Sequence, residues 1–298
     1  MINAAVVGYG NIGKFALEAI LEAPDFNLAG VVRRKESLGN TPPELKDIKV
    51  ATDIKELGSV DVAILASPSR SVFDEAKKYL GLGINTIDSM DIHGSIPELR
   101  EKLMPVAKEH NAVSIISCGW DPGTNSIYRA VFEASAPRGI THTNYGEGMS
   151  MGHTVAVKSK EGVKNALSIT IPRGTGIHAR LVYVELKEGA DFAAVEKSIK
   201  TDPYFVNDET RVVQTQDVNS LIDMGHGVLI ERRGVSGRTH NQMFKLDIRA
   251  NNPALTSQIL VSCARASTKQ APGCYTIIEI PVIDFLYGKK EDLIKRLV

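Results

Sequence analysis

The sequence predicts an α/β protein: a doubly wound parallel sheet followed by a second, α+β domain. Three observations carry that expectation. Short apolar runs alternate with amphipathic stretches over residues 1–117, as in βαβ units whose sheet is covered on both faces. A glycine-rich turn, Gly8-Tyr9-Gly10-Asn11-Ile12-Gly13, joins the first apolar run to the first helical stretch. Beyond residue 125 strands predominate, and their alternating polar and apolar residues suggest an antiparallel sheet with one covered face.

The first run, Ala4-Ala5-Val6-Val7, is apolar and partly β-branched, as a buried strand should be. Lys14 to Glu22 follows as a helix, with Ile12, Ala16, Leu17 and Ile20 on one face. In the turn between them Gly8 permits the tight bend, Gly10 lets a pyrophosphate approach the helix N-terminus, and Gly13 lets helix and strand pack closely. Tyr9, Asn11 and Ile12 complete this cofactor-binding turn. The second strand, Leu28 to Val32, ends at Arg33-Arg34-Lys35, where such a fold meets the adenosine ribose. An acid there would favour NAD. Arg33 and Arg34 instead suit the 2′-phosphate of NADP, the bland alternative being a solvated basic loop. A third strand, Asp61 to Ala66, runs into Ser67-Pro68-Ser69-Arg70 and a helix from Val72 to about Leu82. Ser67 and Ser69 are therefore candidate cofactor neighbours, unless Ser69 is only a helix cap.

Ile84 to Ile87 forms the next strand, with Asp88-Ser89-Met90-Asp91-Ile92-His93-Gly94 at its carboxyl end. This places Asp88, Asp91 and His93 at the crevice, where Asp91 could hold an ammonium group or activate water, or serve only as a turn aspartate. A helix over Ile96–His110 and a strand over Ala112–Ser117 complete the series. Cys118-Gly119-Trp120-Asp121-Pro122-Gly123-Thr124-Asn125 then sets the only tryptophan beside a carboxylate, ahead of a turn and a helix start at Thr124. Further strands are expected at Ile140–Tyr145, Thr154–Lys158, Ala166–Ile171, Arg180–Leu186, Arg211–Thr215, Val228–Arg232 and Gln242–Arg249. Helices are expected at Asp191–Lys200 and Asn252–Gln270, and the tail Tyr275–Leu297 should return to the first domain. The resulting division is 1–120 plus about 272–298 for the dinucleotide, and 121–271 for substrate and dimerisation.

With 298 residues, 43% hydrophobic and 23% charged, the chain can bury two cores. Lysine plus arginine equals aspartate plus glutamate at 35 each, which argues against broad capture of nucleic acid or an anionic membrane. Cys118, Cys263 and Cys274 fit neither a disulfide framework nor a zinc ribbon, and no ligand cluster calls for a metal. No apolar run reaches membrane-spanning length and the N-terminus enters a strand directly, so a cytoplasmic enzyme is expected. The residues alone support an NADP-dependent oxidoreductase acting on an anionic or zwitterionic substrate.

Several motifs in order carry a more specific likeness. Val6-Val7-Gly8-Tyr9-Gly10-Asn11, Asp88 to Gly94, Gly119 to Thr124, Gly148-Met149-Ser150-Met151-Gly152-His153 and Lys200-Thr201-Asp202-Pro203-Tyr204-Phe205 are among them. Gly225-His226-Gly227, Asn251-Asn252-Pro253-Ala254-Leu255-Thr256 and Pro272-Gly273-Cys274-Tyr275 continue the series. Together they resemble the meso-diaminopimelate dehydrogenases, and the chain is compact like the shorter members of that family. The resemblance implies a Rossmann-type first domain, a homodimer, and NADP-dependent oxidative deamination at the D-centre of meso-2,6-diaminopimelate, with release of ammonia. It implies that Asp91 and Asp121 face the D-amino acid centre and that Trp120 lines the pocket. Met151 and Gly152 match a loop that closes on the substrate, and Tyr145 falls where an aromatic wall residue occurs. Thr170, Arg180 and His226 match the grip on the distal carboxylate, and Asn252 another substrate contact. Which aspartate acts as base stays open at this point. A broad D-amino-acid dehydrogenase and a non-catalytic NADP-binding sensor are the alternatives.

Overall fold

The computed structural model describes residues 1–37, 39, 41–222 and 225–298. In chain order the elements begin β1 (Ile2–Val7), α1 (Asn11–Leu21), β2 (Phe26–Val32), β3 (Val50–Ala51), β4 (Val62–Leu65) and α2 (Val72–Leu80). There follow β5 (Asn85–Asp88), α3 (Ile96–Glu109), β6 (Val113–Ile116), α4 (Thr124–Ser135), β7 (Arg138–Tyr145), β8 (Gly148–Met149) and α5 (Met151–Lys158). Next are β9 (Val163–Gly174), β10 (Ile177–Leu186), α6 (Phe192–Lys200), β11 (Glu209–Gln214), β12 (Gly225–Ser236) and β13 (Thr239–Asn251). The chain ends with α7 (Asn252–Ser267), β14 (Gly273–Thr276) and α8 (Lys290–Leu297). They form two units, Met1–Tyr128 with Pro253–Val298, and Arg129–Asn252.

In the first unit seven strands lie in the order β14-β6-β5-β4-β1-β2-β3, and every pair is parallel. Such a sheet needs helices on both faces, and both faces are covered. Ala16, Leu17 and Ile20 of α1 share one core with Leu260 and Val261 of α7, while α2 and α3 contribute Ala76, Leu80, Leu103 and Ala107 to the other. The strand order turns at β1, flanked by β2 and β4, so the crevice outside its carboxyl end is where a dinucleotide fits this topology. At the end of the chain β14 pairs β6 in parallel.

The domain boundaries differ from those read in the sequence. Helix α7, assigned there to 121–271, belongs to the first unit from Pro253 onward. Its apolar face completes a core with β1, Ser257 Oγ donates to the Ile12 carbonyl at 2.8 Å, and Arg265 forks onto the Asp25 carboxylate at 2.5 and 2.7 Å. Nothing in the local pattern of a 16-residue helix reveals which sheet it packs on.

The second unit corrects two further expectations. Its strands form two sheets, β11-β10-β9-β8 and β13-β12-β7, where one antiparallel sheet was expected. One pair, β10 with β11, is parallel. A parallel pair needs a crossover, which α6 supplies by burying Val195 and Ile199 against Val182 and Val184. Residues 154–158, expected as a strand, belong to helix α5. Thr154 and Val157 are buried and Val155 and Lys158 exposed, a spacing of three that suits one helical face against β9. The β-branched residues of that stretch favour a strand, and packing overrides them.

Candidate active site

The glycine turn has the geometry its sequence implies. Gly8 has φ +92°, and a Cβ there would lie 2.7 Å from the Ala66 carbonyl oxygen. A Cβ on Gly13 would lie 2.3 Å from the Gly8 oxygen, whereas one on Gly10 would meet nothing within 4 Å. Gly10 thus heads α1 beside open space, with no side-chain cap and no acid in the first turn. That is a cradle a phosphate fits. The Tyr9 ring has Lys14 Nζ and the Arg33 guanidinium each 6.0 Å from its centroid, and Lys14 also pairs with Glu44 at 2.9 Å. With exposed Arg34 next in sequence, positive charge gathers at the carboxyl end of β2. Asn11 is exposed and Ile12 half-buried at the start of α1.

The two loops that carry the candidate acids are tied together by Asp88. The sequence grouped it with Asp91 and His93 at the crevice, but its side chain is fully buried. Its Oδ1 accepts from Met90 N and Ser117 N, both at 2.9 Å, and its carbonyl accepts from Cys118 N at 2.9 Å. One carboxyl therefore braces the strand-end loops that lead to Asp91 and to Trp120-Asp121. Burial pushes Asp88 up to about 6, against the lowering effect of those two N–H groups. Asp91 and His93, by contrast, are exposed.

Ser69 Oγ donates to Asp91 Oδ1 at 2.7 Å and accepts from Asp91 N at 3.3 Å. The helix-cap alternative for Ser69 is not realised, since Ser71 occupies the N-cap of α2. Ser67 Oγ is held by Glu75 Oε2 at 2.7 Å. Asp121 Oδ2 accepts from Asn125 Nδ2 at 3.3 Å, and the carbonyl of buried Trp120 accepts from Asn125 N at 3.1 Å. Gly123 closes this turn at φ +148°, and a Cβ there would sit 1.7 Å from the Gly119 oxygen, so only glycine fits.

In the second unit the register of β9 and β10 sets Thr170 opposite Arg180. Arg180 Nη1 donates to Thr170 Oγ1 at 2.5 Å, and its Nε donates to Asp208 Oδ2 at 2.6 Å. Nearby, Tyr145 N donates to His178 Nε2 at 2.7 Å, and the Tyr145 ring lies 5.3 Å from that of His178 and 6.4 Å from that of His226. His226 is buried on β12, and burial, with Arg180 adding to the effect, pushes its imidazole down to about 4. It is neutral near pH 7, so Arg180 supplies the positive charge of this cluster. Met151 and Gly152 open helix α5, half-buried. His226 also lines a cavity of about 590 Å³ with Met149, Ile169 and Arg249. Asn252, half-buried, ends this unit at the first position of α7.

Asp208, His178 and Asn125 join these residues without having been singled out in the sequence. Asp208 lies 28 residues from Arg180, and only the parallel β10–β11 pairing, which sets Arg180 opposite Thr210, explains their meeting. The position of Asp208 just beyond Lys200-Thr201-Asp202-Pro203-Tyr204-Phe205 was the one available signal.

Over its full length the chain is 61% identical to the meso-diaminopimelate D-dehydrogenase of Bacteroides fragilis, across 99% of that protein. The chain belongs to the meso-diaminopimelate D-dehydrogenase family. Residues 119–179 match the diaminopimelic acid dehydrogenase C-terminal domain, and residues 2–88 the oxidoreductase family, NAD-binding Rossmann fold. The solved structure of the C. glutamicum DAP dehydrogenase in complex with DAP superposes at a TM-score of 0.90 and 28% identity, covering 100% of this chain and 99% of that one. An engineered D-amino acid dehydrogenase bound to NADP+ superposes at 0.87 with 27% identity, again over 100% and 99%. The chain is thus an oxidoreductase with the Rossmann-type first domain and second domain of this family.

Proposed function

We propose that the chain catalyses reversible NADP+-dependent oxidative deamination at the D-centre of meso-2,6-diaminopimelate, giving L-2-amino-6-oxopimelate, ammonia and NADPH. In a chain of this family, the observation that carries the reading is Arg180, a cation only 11% exposed, oriented by Thr170 and set beside buried His226. A distal carboxylate is the group such a site is built to hold.

The reaction takes the substrate ammonium, NADP+ and water to a keto acid, ammonium, NADPH and a proton. Bound NADP+ supplies the hydride acceptor, nicotinamide C4. Asp91 and Asp121 hold the reacting amine and take up its proton, and one of them activates the water that attacks the imine. Ser69 and Asn125 orient these carboxylates. Arg180, Thr170 and His226 fix the distal carboxylate, so that a single Cα–H is presented for transfer. Trp120, Tyr145, Met151, Gly152 and Asn252 complete the substrate contacts.

Gly8 through Gly13, Ser67 and Ser69 belong to the cofactor site in this reading, and Arg33 and Arg34 select the 2′-phosphate. The NADP+ held by the engineered relative supports that preference. Replacing both arginines by alanine is expected to weaken NADP+ binding about 100-fold, at roughly 1.5 kcal/mol for each of two charged hydrogen bonds, and to leave NAD+ binding unchanged by calorimetry. Equal loss for both cofactors removes them from the 2′-phosphate site. A cytoplasmic homodimer is the form we assign, with the β13-β12-β7 sheet as interface. Ile140 and Met243, exposed by 64% and 53% on strands of that sheet, support it.

The deciding experiment follows NADPH absorbance with meso-diaminopimelate, LL-diaminopimelate and D-alanine in parallel. Reduction with the meso isomer alone is the expected result. Turnover mainly of D-alanine would make the chain a broad D-amino-acid dehydrogenase, and NADPH binding without turnover of any amino acid would make it a sensor.

A further inference from the structure

The segment Lys200-Thr201-Asp202-Pro203-Tyr204-Phe205 takes no part in the reaction as described, yet its turn is held by side-chain and backbone bonds together. Asp202 Oδ2 pairs with Lys160 Nζ at 2.5 Å, and its Oδ1 accepts from Tyr204 N at 2.8 Å. The Asp202 carbonyl accepts from both Phe205 N and Val206 N, at 2.8 and 2.9 Å. Phe205 is fully buried, and Asp208 N closes the turn on the Phe205 carbonyl at 2.9 Å. On its other side the turn holds helix α5. His153 meets the rings of Tyr204 and Phe205 edge-on at 5.3 and 5.0 Å, and its Nδ1 lies 2.8 Å from Ser150 Oγ.

The output of this rigid turn is the Asp208 carboxylate. Arg180 carries three nitrogens on its guanidinium: Nε bonds Asp208, Nη1 bonds Thr170, and Nη2 has no protein partner among the described residues. Two bonds on different edges of a planar group fix both its position and its plane. The third nitrogen then points where the two tethers send it. A flexible arginine held by Thr170 alone would have to be ordered by each incoming substrate, and that ordering costs affinity.

We infer that Asp208 is a positioning residue that sets the specificity of the site for a second carboxylate, by presenting Arg180 Nη2 to it, and that the Asp202–Asp208 turn exists to hold Asp208 there. The inference rests on the reading of Arg180 as the anchor of the distal carboxylate. Asp208 itself touches no reacting atom in this account.

The test compares meso-diaminopimelate with D-lysine, which has the same D-centre and terminal amine but lacks the distal carboxylate. The full-length enzyme is assayed with NADP+ as wild type, Asp208→Ala, Asp208→Asn and Arg180→Met. D-Lysine is scored by its KM or by its competitive Ki. Asp208→Ala is expected to raise KM for the diacid about tenfold, the worth of one charge-assisted hydrogen bond, with kcat within twofold. D-Lysine and NADP+ binding should be unchanged. Asp208→Asn keeps an acceptor for Nε and should recover part of the loss; it also serves where the alanine variant fails to fold. Parallel losses on both substrates, or an unaltered KM for the diacid, would overturn the inference while a strong Arg180→Met effect left the reading of Arg180 standing. An Arg180→Met enzyme with unaltered KM for the diacid would overturn both.

Discussion

Asp91 and Arg180 are both charged groups assigned to the substrate, yet their surroundings hold them by opposite means. Asp91 is exposed, takes one hydroxyl hydrogen bond from Ser69, and enters no ion pair among the described residues. Arg180 is nearly buried and commits one nitrogen to a carboxylate at 2.6 Å and another to a hydroxyl at 2.5 Å. The difference suits the roles proposed for each. A group that exchanges a proton in every cycle changes charge, and a cationic partner would favour one of its two states. An anchor keeps its charge throughout and gains from being fixed in advance. The contrast implies a division of kinetic effects, with first-unit acids acting on kcat and the second-unit cation acting on KM.

The largest expected effect tests the first half of that division. Asp121→Asn and Asp91→Asn should each lower kcat by about 10²–10⁴, the range of general acid–base catalysis, with NADPH binding intact by fluorescence titration. Near-normal turnover in either variant would remove that residue from the proton chemistry. Next comes Arg180→Met, expected to raise KM for meso-diaminopimelate about 30- to 100-fold, or roughly 2–3 kcal/mol for a charged contact, with D-lysine kinetics unaltered. Equal damage on both substrates would break the contrast, because it would make Arg180 a structural residue. A smaller change sharpens it. Ser69→Ala removes one neutral hydrogen bond from Asp91 and should lower kcat about fivefold, at roughly 1 kcal/mol, without altering discrimination between the diacid and D-lysine. Loss of discrimination instead would place Ser69 among the specificity groups.

The two units also differed in how far their sequence revealed them. The strands of the first unit are buried on both faces, so they stand out as short apolar runs such as Val62–Leu65, and α1 lies where Gly10 and the spacing of Ala16, Leu17 and Ile20 put it. The glycine turn and the acids at strand ends were legible because a parallel sheet gathers its loops at one edge. In the second unit, Thr154, Val155 and Val157 are β-branched yet lie in a helix, because β9 offers Thr154 and Val157 a surface on which that period buries them. The role of Asp208 was hidden for a related reason, although a motif just before it marked the neighbourhood. Its meaning lies in a partner 28 residues away, and no spacing rule encodes a contact made across a crossover. Asp88 was seen but misread, since a strand-end aspartate looks the same in sequence whether it faces the crevice or braces two loops from within.

Asp88 provides the test with the smallest effect on turnover, and it probes the frame on which the acids are mounted. Burial raises its carboxyl from 3.8 to about 6, so the folded protein disfavours the ionised form. The sign follows directly. A group whose folded value exceeds its unfolded value adds stability at pH below about 4, and that stability is lost as pH rises through 6. Asp88→Asn keeps an Oδ1 to accept from Met90 N and Ser117 N but cannot ionise. Its amide nitrogen takes the place of Oδ2, which has no hydrogen-bond partner among the described residues, and that cost does not vary with pH. Relative to wild type, the variant should therefore gain stability by about 2–3 kcal/mol between pH 4 and pH 8, as a shift of about two pKa units requires. Urea unfolding at the two pH values measures it. Turnover at pH 8 should stay within a few-fold of wild type, since both backbone bonds survive, while Asp88→Ala removes them and should lower kcat further. A pH-independent difference between wild type and Asp88→Asn would mean that the carboxyl is ionised in the folded core at no cost. The brace beneath Asp91 and Asp121 would then be a charged one, its ionised form sustained by the Met90 and Ser117 N–H groups.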